Sequence, residues 1–417
     1  MGWPNVKVSD SCELIVDCVN RTAPLAEEPT QYKMIRTTNV RDGFIDTDNV
    51  RYVDEATFHR WTRRAVPLPG DVVLTREAPL GEVGIIRKPE DVFLGQRTIM
   101  YRADPNTLDP FFLMYSMLGD FMQGQIRSYG SGSTVEHMRL PDCFSLLLPL
   151  PPLPVQQKIA AVLSAYDNLV ENNNRRIKIL EEMAQRVYRE WFVDFRYPGH
   201  EGVPLVDSEL GPIPDGWTLL SASQALIVNP RIVVDRNAVR PFVPMTSVSE
   251  TGMHISPMEE RSGANGSKFQ NGDTLFARIT PCLENGKTAY VQCLADGEVA
   301  SGSTEFIVLR SHVLGPEYTY LLARSDAFRS HAMKSMSGAT GRQRVREECF
   351  DSFTLAVPNG TLLESFAEWV RPIFQSSYAL FSTNAVLSAS RDLLLPRLIS
   401  GEVDVSDLDI AIPEAAA

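Results

Sequence analysis

The sequence predicts an α+β protein in which two globular mixed α/β domains, each followed by one long helix, form a pseudo-two-fold internal repeat. Three observations predict this class. The chain has 417 residues, more than one hydrophobic core usually serves. Strand and turn signals recur in the same order after roughly 205 to 215 residues, a period longer than that of solenoid repeats. Each set of strand signals leads into a helical pattern too long for an ordinary globular helix.

The repeat consists of four short echoes that occur in the same order in both halves. Each half has a Gly-Trp pair, a turn with Gly-Asp that enters an apolar strand, a Ser-Gly loop and a final apolar strand. Two further segments, 109–122 and 317–336, look helical. Any single echo could be chance, but four in one order indicate duplicated domains. The paired segments are 2–3 with 216–217, 69–76 with 271–278, 131–134 with 337–340, and 144–148 with 353–357.

Both long helical patterns place their apolar residues at alternating intervals of four and three, which is coiled-coil spacing. The first seam continues for about five heptads, whereas the second is poorer and should kink at Pro372. A core helix of a larger domain is the alternative. The first seam comprises Ile159, Leu163, Tyr166, Val170, Asn173, Ile177, Leu180, Ala184, Val187 and Trp191, and the second Phe366, Val370, Ile373, Ser377, Leu380, Asn384, Leu387, Arg391 and Leu394.

These patterns divide the chain into five segments. Residues 1–151 form the first globular domain and 152–195 the first long helix. A linker rich in proline and glycine opens the second globular domain, 196–358, which the second long helix, 359–400, follows. Residues 401–417 are an acidic and apolar tail.

The composition, 44% hydrophobic and 22% charged, is that of an ordinary soluble protein. No run of about 18 apolar residues could span a bilayer, and the start lacks the features of a signal peptide, so we expect a cytoplasmic protein without membrane contact. The six cysteines form no CxxC pair and have no metal-ligand spacing with the histidines, which favours reduced thiols and no metal site.

The net charge of −12 conceals a local reversal. Within 324–346, six Lys and Arg residues stand against Asp326 alone, and Arg60, Arg63 and Arg64 form a smaller basic cluster. Such clusters are either solvated faces or surfaces for a polyanion such as nucleic acid.

Two segments carry a family resemblance. Residues 209–217, ELGPIPDGW, and 151–160, PPLPVQQKIA, resemble the entry to a recognition domain and the start of a conserved helix in the specificity subunits of Type I restriction-modification enzymes. The similarity extends over nearly the whole chain. The family often has an acidic residue where Gln156 stands, and the second helix is weakly matched around Pro372.

The resemblance implies two target-recognition domains that each read one half of a split double-stranded DNA target, held apart by the two helices packed antiparallel. It also implies partners: two methyltransferase subunits and restriction subunits that act as ATP-driven translocases. S-adenosylmethionine, ATP and Mg are then expected only on those partners, with no cofactor on this chain. If the helices pair end to end, the fifth seam residue of one meets the sixth of the other, which places Asn173 opposite Asn384. A buried polar pair of this kind sets the register, whereas the alternative is that both asparagines face solvent.

Base reading requires forked or paired donors and acceptors, and phosphate contacts require cations and loop amides. The Ser-Gly loops and their basic neighbours offer both, although an ordinary polar turn is the competing interpretation. For Arg76, Arg97, Arg278 and Lys287, which flank the strand repeats, surface salt bridges are favoured. The candidate DNA-binding residues are Arg127, Ser131, Ser133 and Thr134 in the first domain and Lys334, Ser337, Thr340, Arg342, Gln343 and Arg344 in the second.

Enzyme motifs are missing from the sequence. Residues 109–112, DPFF, approach the motif with which amino-methyltransferases hold a flipped adenine, but Phe111 replaces its second proline and no cofactor glycine motif accompanies it. No phosphate-binding loop is present, and His137 has no nucleophile or ligand at a useful spacing. We therefore expect a non-catalytic protein that directs its partners to DNA. A purely structural coiled-coil adaptor is the alternative, although it leaves two elaborate domains without a task.

Overall fold

A computed structural model describes residues 3–130, 136–263, 265–339 and 341–412. It divides into two compact units, one comprising 1–170 with 386–417 and the other 171–385. Each unit contains one globular domain and parts of both long helices. Among the described residues, no helix is long and apolar enough to cross a membrane.

The first unit is built around a four-stranded antiparallel sheet of order β2-β10-β7-β8, with a second sheet of order β6-β3-β9. Its strands are β1 (Asn5–Lys7), β2 (Cys12–Asp17), β3 (Lys33–Ile35), β4 (Val40–Arg41), β5 (Phe44–Ile45), β6 (Arg51–Tyr52), β7 (Val72–Arg76), β8 (Leu80–Ile85), β9 (Val92–Leu94), β10 (Thr98–Ala103) and β11 (Leu147–Pro149). Its helices are α1 (Glu55–Trp61), α2 (Pro110–Leu118), α3 (Asp120–Tyr129), α4 (Leu140–Phe144) and the first part of α5 (Leu153–Phe192).

The second unit repeats this plan, with a four-stranded antiparallel sheet of order β15-β22-β19-β20 and a second sheet of order β17-β16-β21-β18. Its strands are β12 (Leu205–Val206), β13 (Ile213–Pro214), β14 (Thr218–Ser221), β15 (Leu226–Val228), β16 (Val239–Val243), β17 (Glu259–Ser262), β18 (Ser267–Phe269), β19 (Thr274–Ala277), β20 (Thr288–Tyr290), β21 (Ala300–Gly302), β22 (Phe306–Ser311) and β23 (Thr354–Val357). Its helices are α6 (Ala222–Ala225), α7 (Pro316–Arg324), α8 (Asp326–Lys334) and most of α9 (Gly360–Ile399).

Each unit uses the same anchor, which we call the Asp–Arg anchor, where the central strand of its main sheet begins. Arg102 donates two hydrogen bonds to the buried carboxylate of Asp71, at 2.8 and 2.7 Å. Arg310 donates two to the buried carboxylate of Asp273, both at 2.7 Å. A bidentate, charge-assisted pair of this kind holds two neighbouring strands in fixed geometry. The anchor and the common strand order confirm that the α+β halves are duplicated.

Residues 109–122 and 317–336, predicted to be helical, each belong to two helices. In the first unit the chain becomes extended at Gly119 between α2 and α3, and in the second at Ser325 between α7 and α8. The Ser325 hydroxyl accepts a hydrogen bond from the Phe328 amide at 3.3 Å, which caps the first turn of α8. These caps end one helix and start the next, although the apolar spacing continues across them.

The long helices α5 and α9 contain 40 residues each. The sequence predicted them as 152–195 and 359–400, so the helical bounds lie within a few residues of the predicted segments. α9 continues through Pro372 without interruption. In the second unit, the ring of Trp191 packs at a tilt against that of Phe366, with ring centroids 5.7 Å apart.

The predicted contact between the two asparagines is confirmed. The Asn173 amide donates to the Asn384 side-chain oxygen at 2.9 Å, and the Asn384 amide donates to Asn174 at 2.8 Å. Asn173 and Asn384 are both buried. Asn173 contacts Asn384, and Trp191, further along α5, contacts Phe366, which is earlier in α9. The two helices therefore pack antiparallel.

A second polar contact lies where α5 and α9 meet in the first unit. Asp167 is buried, and its carboxylate accepts a hydrogen bond from Arg391 at 2.6 Å and another from the Tyr115 hydroxyl at 2.5 Å. The guanidinium of Arg87 lies 3.9 Å from the same carboxylate. Because a buried charge is costly unless it is paired, this contact restricts how the helices can align.

Candidate nucleic-acid interface

The predicted loop of the second unit is a short hairpin that begins where α8 ends. Ser337 and Arg344 exchange backbone hydrogen bonds of 3.1 and 3.0 Å. Gly338 and Gly341 have φ values of +129° and +78°, a region in which side chains are strained, so the tip requires glycine. Arg342 is exposed at this tip, and the predicted residue Thr340 lies outside the described residues.

Backbone bonds fasten this hairpin to the end of β19. The Val345 amide donates to the Arg278 carbonyl at 2.8 Å, and the Thr280 amide donates to the Gln343 carbonyl at 3.0 Å. The Gln343 amide in turn donates to the Thr280 hydroxyl at 3.0 Å. The backbone of Gln343 is therefore held rigidly, while its side chain is half-buried.

Among the predicted contact residues that the structure describes, Arg344 is the most firmly held. Its guanidinium binds both carboxylate oxygens of Glu305, at distances of 2.7 to 3.1 Å. The same contact lowers the pKa of Glu305 below its ordinary value, chiefly through the hydrogen bond from Arg344. Since 48% of the Arg344 side chain remains exposed, an outside acceptor can compete with Glu305 for this guanidinium.

Two grooves meet at Arg278. The first is lined by Ser337, Arg344 and Arg346, and the second by Arg231 and Lys268. Arg278 itself pairs with Glu347 at 3.1 Å and donates to the Val345 carbonyl at 3.0 Å, in keeping with the salt-bridge interpretation. The grooves bring together cations that are far apart in the sequence, and Arg231 and Lys268 were not predicted. The signal that could have identified them is weak, because each is an isolated cation in a loop or short strand.

The basic segment 324–346 does not form one surface. Arg324 donates to the carbonyls of Glu250, Thr251 and Gly286 at 2.7 to 3.1 Å, and so holds two loops together. Arg329 pairs with Asp326 at 2.7 Å. The remaining cations are exposed at the end of α8 or in and beside the hairpin: Lys334, Arg342, Arg344 and Arg346.

In the first unit, the corresponding loop includes 131–135, so the predicted residues Ser131, Ser133 and Thr134 lie outside the described residues. Arg127 is exposed in the last turn of α3, just before this loop. The segment after the loop returns to β7, where the Met138 amide donates to the Arg76 carbonyl at 3.0 Å. This bond repeats the one between Val345 and Arg278.

The two units carry different charges at equivalent positions of this edge. The Arg76 amide donates to the carbonyl of Arg97, whereas the Arg278 amide donates to that of Glu305. Arg97 pairs with Glu77 at 3.3 Å, which supports a salt bridge there as well. Arginine in one unit thus replaces glutamate in the other, so the two edges offer different donors and acceptors. Within the described residues, no cluster of His, Cys, Asp or Glu could hold a metal ion.

Comparison with known proteins agrees with this architecture. Residues 2–182 match the family described as the Type I restriction modification DNA specificity domain. The specificity subunit of the Type I restriction enzyme MjaIX from Methanocaldococcus jannaschii is 24% identical over 368 residues, which cover 86% of this chain and 83% of that protein. The EcoEI specificity subunit of Escherichia coli is 32% identical over 158 residues, covering 36% of this chain and 26% of that protein.

Among solved structures, the S subunit of a Type I restriction-modification system from M. genitalium has a similar fold, with a TM-score of 0.56 at 13% identity. The likeness covers 95% of this chain and 96% of that one. Residues 2–182 thus match the DNA specificity domain of Type I restriction-modification systems, and most of the chain is similar to a specificity subunit of a Type I restriction enzyme.

Proposed function

We propose that this chain recognises a bipartite double-stranded DNA target, with one half read by each unit, and directs partner methyltransferase and restriction subunits to it. The observation that carries the proposal is the repeated edge, in which one framework supports differently charged loops. Identical loops would suit a symmetric target. Loops that differ in charge suit two different half-sequences.

The hairpin of the second unit has the chemistry that base reading requires. Arginine presents a rigid fork of donors that matches the two acceptors of guanine in the major groove or a phosphate. Arg342 and Arg344 lie within one short hairpin, and Ser337 adds a hydroxyl beside Arg346, which donates to it at 2.9 Å. This local excess of cations favours a polyanion even though the chain as a whole carries a charge of −12.

Glu305 holds Arg344 ready in a defined orientation. An arginine restrained by a carboxylate loses less freedom when it meets its target than an unrestrained one. On binding, Arg344 can share its five donors between Glu305 and an acceptor on the DNA. Glu305 would then be a positioning residue, and Arg344 would make the contact.

The chain itself is non-catalytic in this proposal, and its place is the cytoplasm, with no membrane contact. Methyl transfer from S-adenosylmethionine and the ATP- and Mg-dependent steps belong to the partner subunits. A structural coiled-coil adaptor would need the helices but not the charged hairpin edges. If the chain reads DNA, substitutions in the hairpin should alter the methylated motif. If it is only an adaptor, they should leave the motif unchanged.

The test is to express the full chain with its methyltransferase subunits in a host that lacks adenine methylation, and to map methylated adenines by single-molecule sequencing. We expect one motif with two half-sequences and a fixed gap. Arg344→Ala should weaken DNA binding by about 1–3 kcal/mol and relax one position of one half-sequence. Glu305→Gln is the matched control, because it removes the ion-pair partner but leaves the contacting guanidinium in place.

If Arg344 reads a base, the Arg344→Ala variant should lose discrimination while the Glu305→Gln variant keeps it. If Arg344 only stabilises the hairpin, both variants should lose activity together with no change of motif. Methylation that follows no sequence, or a motif indifferent to every hairpin substitution, would instead favour the adaptor.

A further inference from the structure

We infer that four polar residues where α5 and α9 meet, three buried and one partly buried, favour pairing of α5 with α9 of the same chain over pairing of either helix with its own copy in a second chain. The residues are Asp167 and Asn173 on α5, and Asn384 and Arg391 on α9. This inference concerns partner choice between helices and does not depend on the proposed DNA target.

The repeat creates a problem of self-recognition. Because the two halves are built alike, the seam of α5 resembles that of α9 position by position. An α5 helix from one copy of the protein could in principle pair antiparallel with the α5 helix of another. Apolar seams of this kind discriminate poorly, since most layers would be apolar in either pairing.

The polar contacts break this equivalence. In the observed pairing Asn173, the fifth seam residue of α5, bonds to Asn384, the sixth of α9. Asp167, which follows the third seam residue of α5, bonds to Arg391, the eighth of α9. The side chain of Asp167 is only 2% exposed, so protein groups rather than water must stabilise its carboxylate.

Pairing of α5 with α5 in the same register would leave these groups without their partners. Asp167 would face Ala184, the eighth seam residue of α5, and Asn173 would face Ile177, the sixth. The Tyr115 hydroxyl would remain, but the Arg87 guanidinium lies 3.9 Å from Asp167, beyond hydrogen-bonding distance. A buried carboxylate would therefore lose its direct cation, a strongly unfavourable change.

Pairing of α9 with α9 fails for the complementary reason. Arg391 would face Phe374, which occupies the position equivalent to Asp167, and Asn384 would face Leu380. The partly exposed Arg391 guanidinium would keep its hydrogen bonds to Asp392 but lose Asp167. The Asn384 amide would be buried against an apolar side chain. Both like-with-like pairings thus bury unpaired polar groups, whereas the pairing of α5 with α9 satisfies them.

The variant that tests this inference replaces each of the four polar residues with the residue at the equivalent position of the other helix. Asp167→Phe and Asn173→Leu give α5 the residues of α9, and Asn384→Ile and Arg391→Ala give α9 those of α5. At these four positions every pairing is then apolar, so the discrimination should be lost while the fold is retained. Leu163→Val with Val370→Leu is the matched control, because it exchanges equivalent seam residues that are both apolar.

The readout is the identity of the helix that contacts α5. A photo-crosslinking benzoylphenylalanine is placed at Ile177, and full-length copies labelled with 14N or 15N are refolded together. Cross-linked α5–α5 peptides that combine light and heavy label can form only between two copies. Circular dichroism and thermal unfolding check that each variant is folded.

In the wild type and the control we expect cross-links to α9 and only background levels of mixed α5–α5 peptides. The four-residue variant should raise the mixed α5–α5 fraction by roughly tenfold or more. If that variant does not fold, Asn173→Leu with Asn384→Ile carries the same test with a smaller expected rise. An equal mixed fraction in the wild type and a folded variant, whether high or low, overturns the inference.

Discussion

Removing Arg310 is expected to open the main sheet of the second unit by depriving Asp273 of its cation. Asp273 is 1% exposed and accepts two hydrogen bonds from Arg310, both at 2.7 Å. In an Arg310→Met variant the carboxylate would keep the Gln270 amide, 2.9 Å away, as a donor. That single neutral donor cannot replace a bidentate guanidinium.

The magnitude follows from the burial of the two partners. Breaking a buried ion pair by removing one member costs about 3–5 kcal/mol. The Arg310 side chain is 25% exposed, so water can partly solvate the carboxylate after the substitution. We therefore expect the lower end, about 3 kcal/mol, which corresponds to roughly hundredfold faster exchange of the protected amides.

Hydrogen-exchange mass spectrometry of the peptides that cover β19 and β22 measures this effect, with the peptides of β7 and β10 as an internal reference. Arg102→Met should reverse the pattern, because Arg102 forms the anchor of the first unit. The double variant Asp273→Asn with Arg310→Met should cost clearly less than the two single changes added together. Strict additivity would show that the two residues do not act as a pair, and the reasoning would fail.

Three further outcomes are expected. Because Arg344 lowers the pKa of Glu305, their contact stabilises the hairpin fully at a pH above the ordinary glutamate pKa of 4.5. This stabilisation should be lost as the pH falls through the lower pKa that Glu305 has in the folded protein. Proton NMR titration checks this, and a Glu305 that titrates at its ordinary value would contradict it. Asn173→Leu should leave Asn384 without its seam partner and cost about 1–3 kcal/mol, measured by urea unfolding, whereas substitution of both by leucine should recover most of the loss. Insertion of one heptad into each long helix, after Asn173 and at the matching point of α9, should widen the gap in the methylated motif by about 10 Å, close to three base pairs, while both half-sequences persist; an unchanged gap at full activity would show that the helices do not set the spacing.

The sequence was most informative where a regular period was present. Counting the four-three seam predicted both long helices and the contact between Asn173 and Asn384, because a heptad repeat determines which residues face the partner. The duplication was equally visible, since the turn that precedes β7 contains the buried Asp71 and its echo contains Asp273. Such buried carboxylates are expected to find a cation, although nothing in the pattern identified Arg102 or Arg310 as that cation.

The sequence was less informative where the direction of a side chain, rather than its type, decides its contacts. In the basic segment 324–346, Arg324 turns towards backbone carbonyls and Arg329 towards Asp326. Arg324 ends α7 and Arg329 lies in α8, so the break at Ser325 separates the directions of the two side chains. The grooves around Arg278 were missed because Arg231, in a distant loop, and Lys268, in β18, come close to Arg278 only in the folded chain.

The Asp–Arg anchor has a consequence for how such a protein can change. Asp71 lies just before β7, and the loop region is attached at the other end of the strand, where Arg76 lies, roughly 16 Å away at strand spacing. Under the proposed function, stability and recognition are thus assigned to opposite ends of the same strand. A substitution at the loop tip can alter what the surface binds without disturbing the carboxylate that holds the sheet together. The same holds independently for Asp273 and Arg278, so each half can acquire a new preference while the other keeps its own.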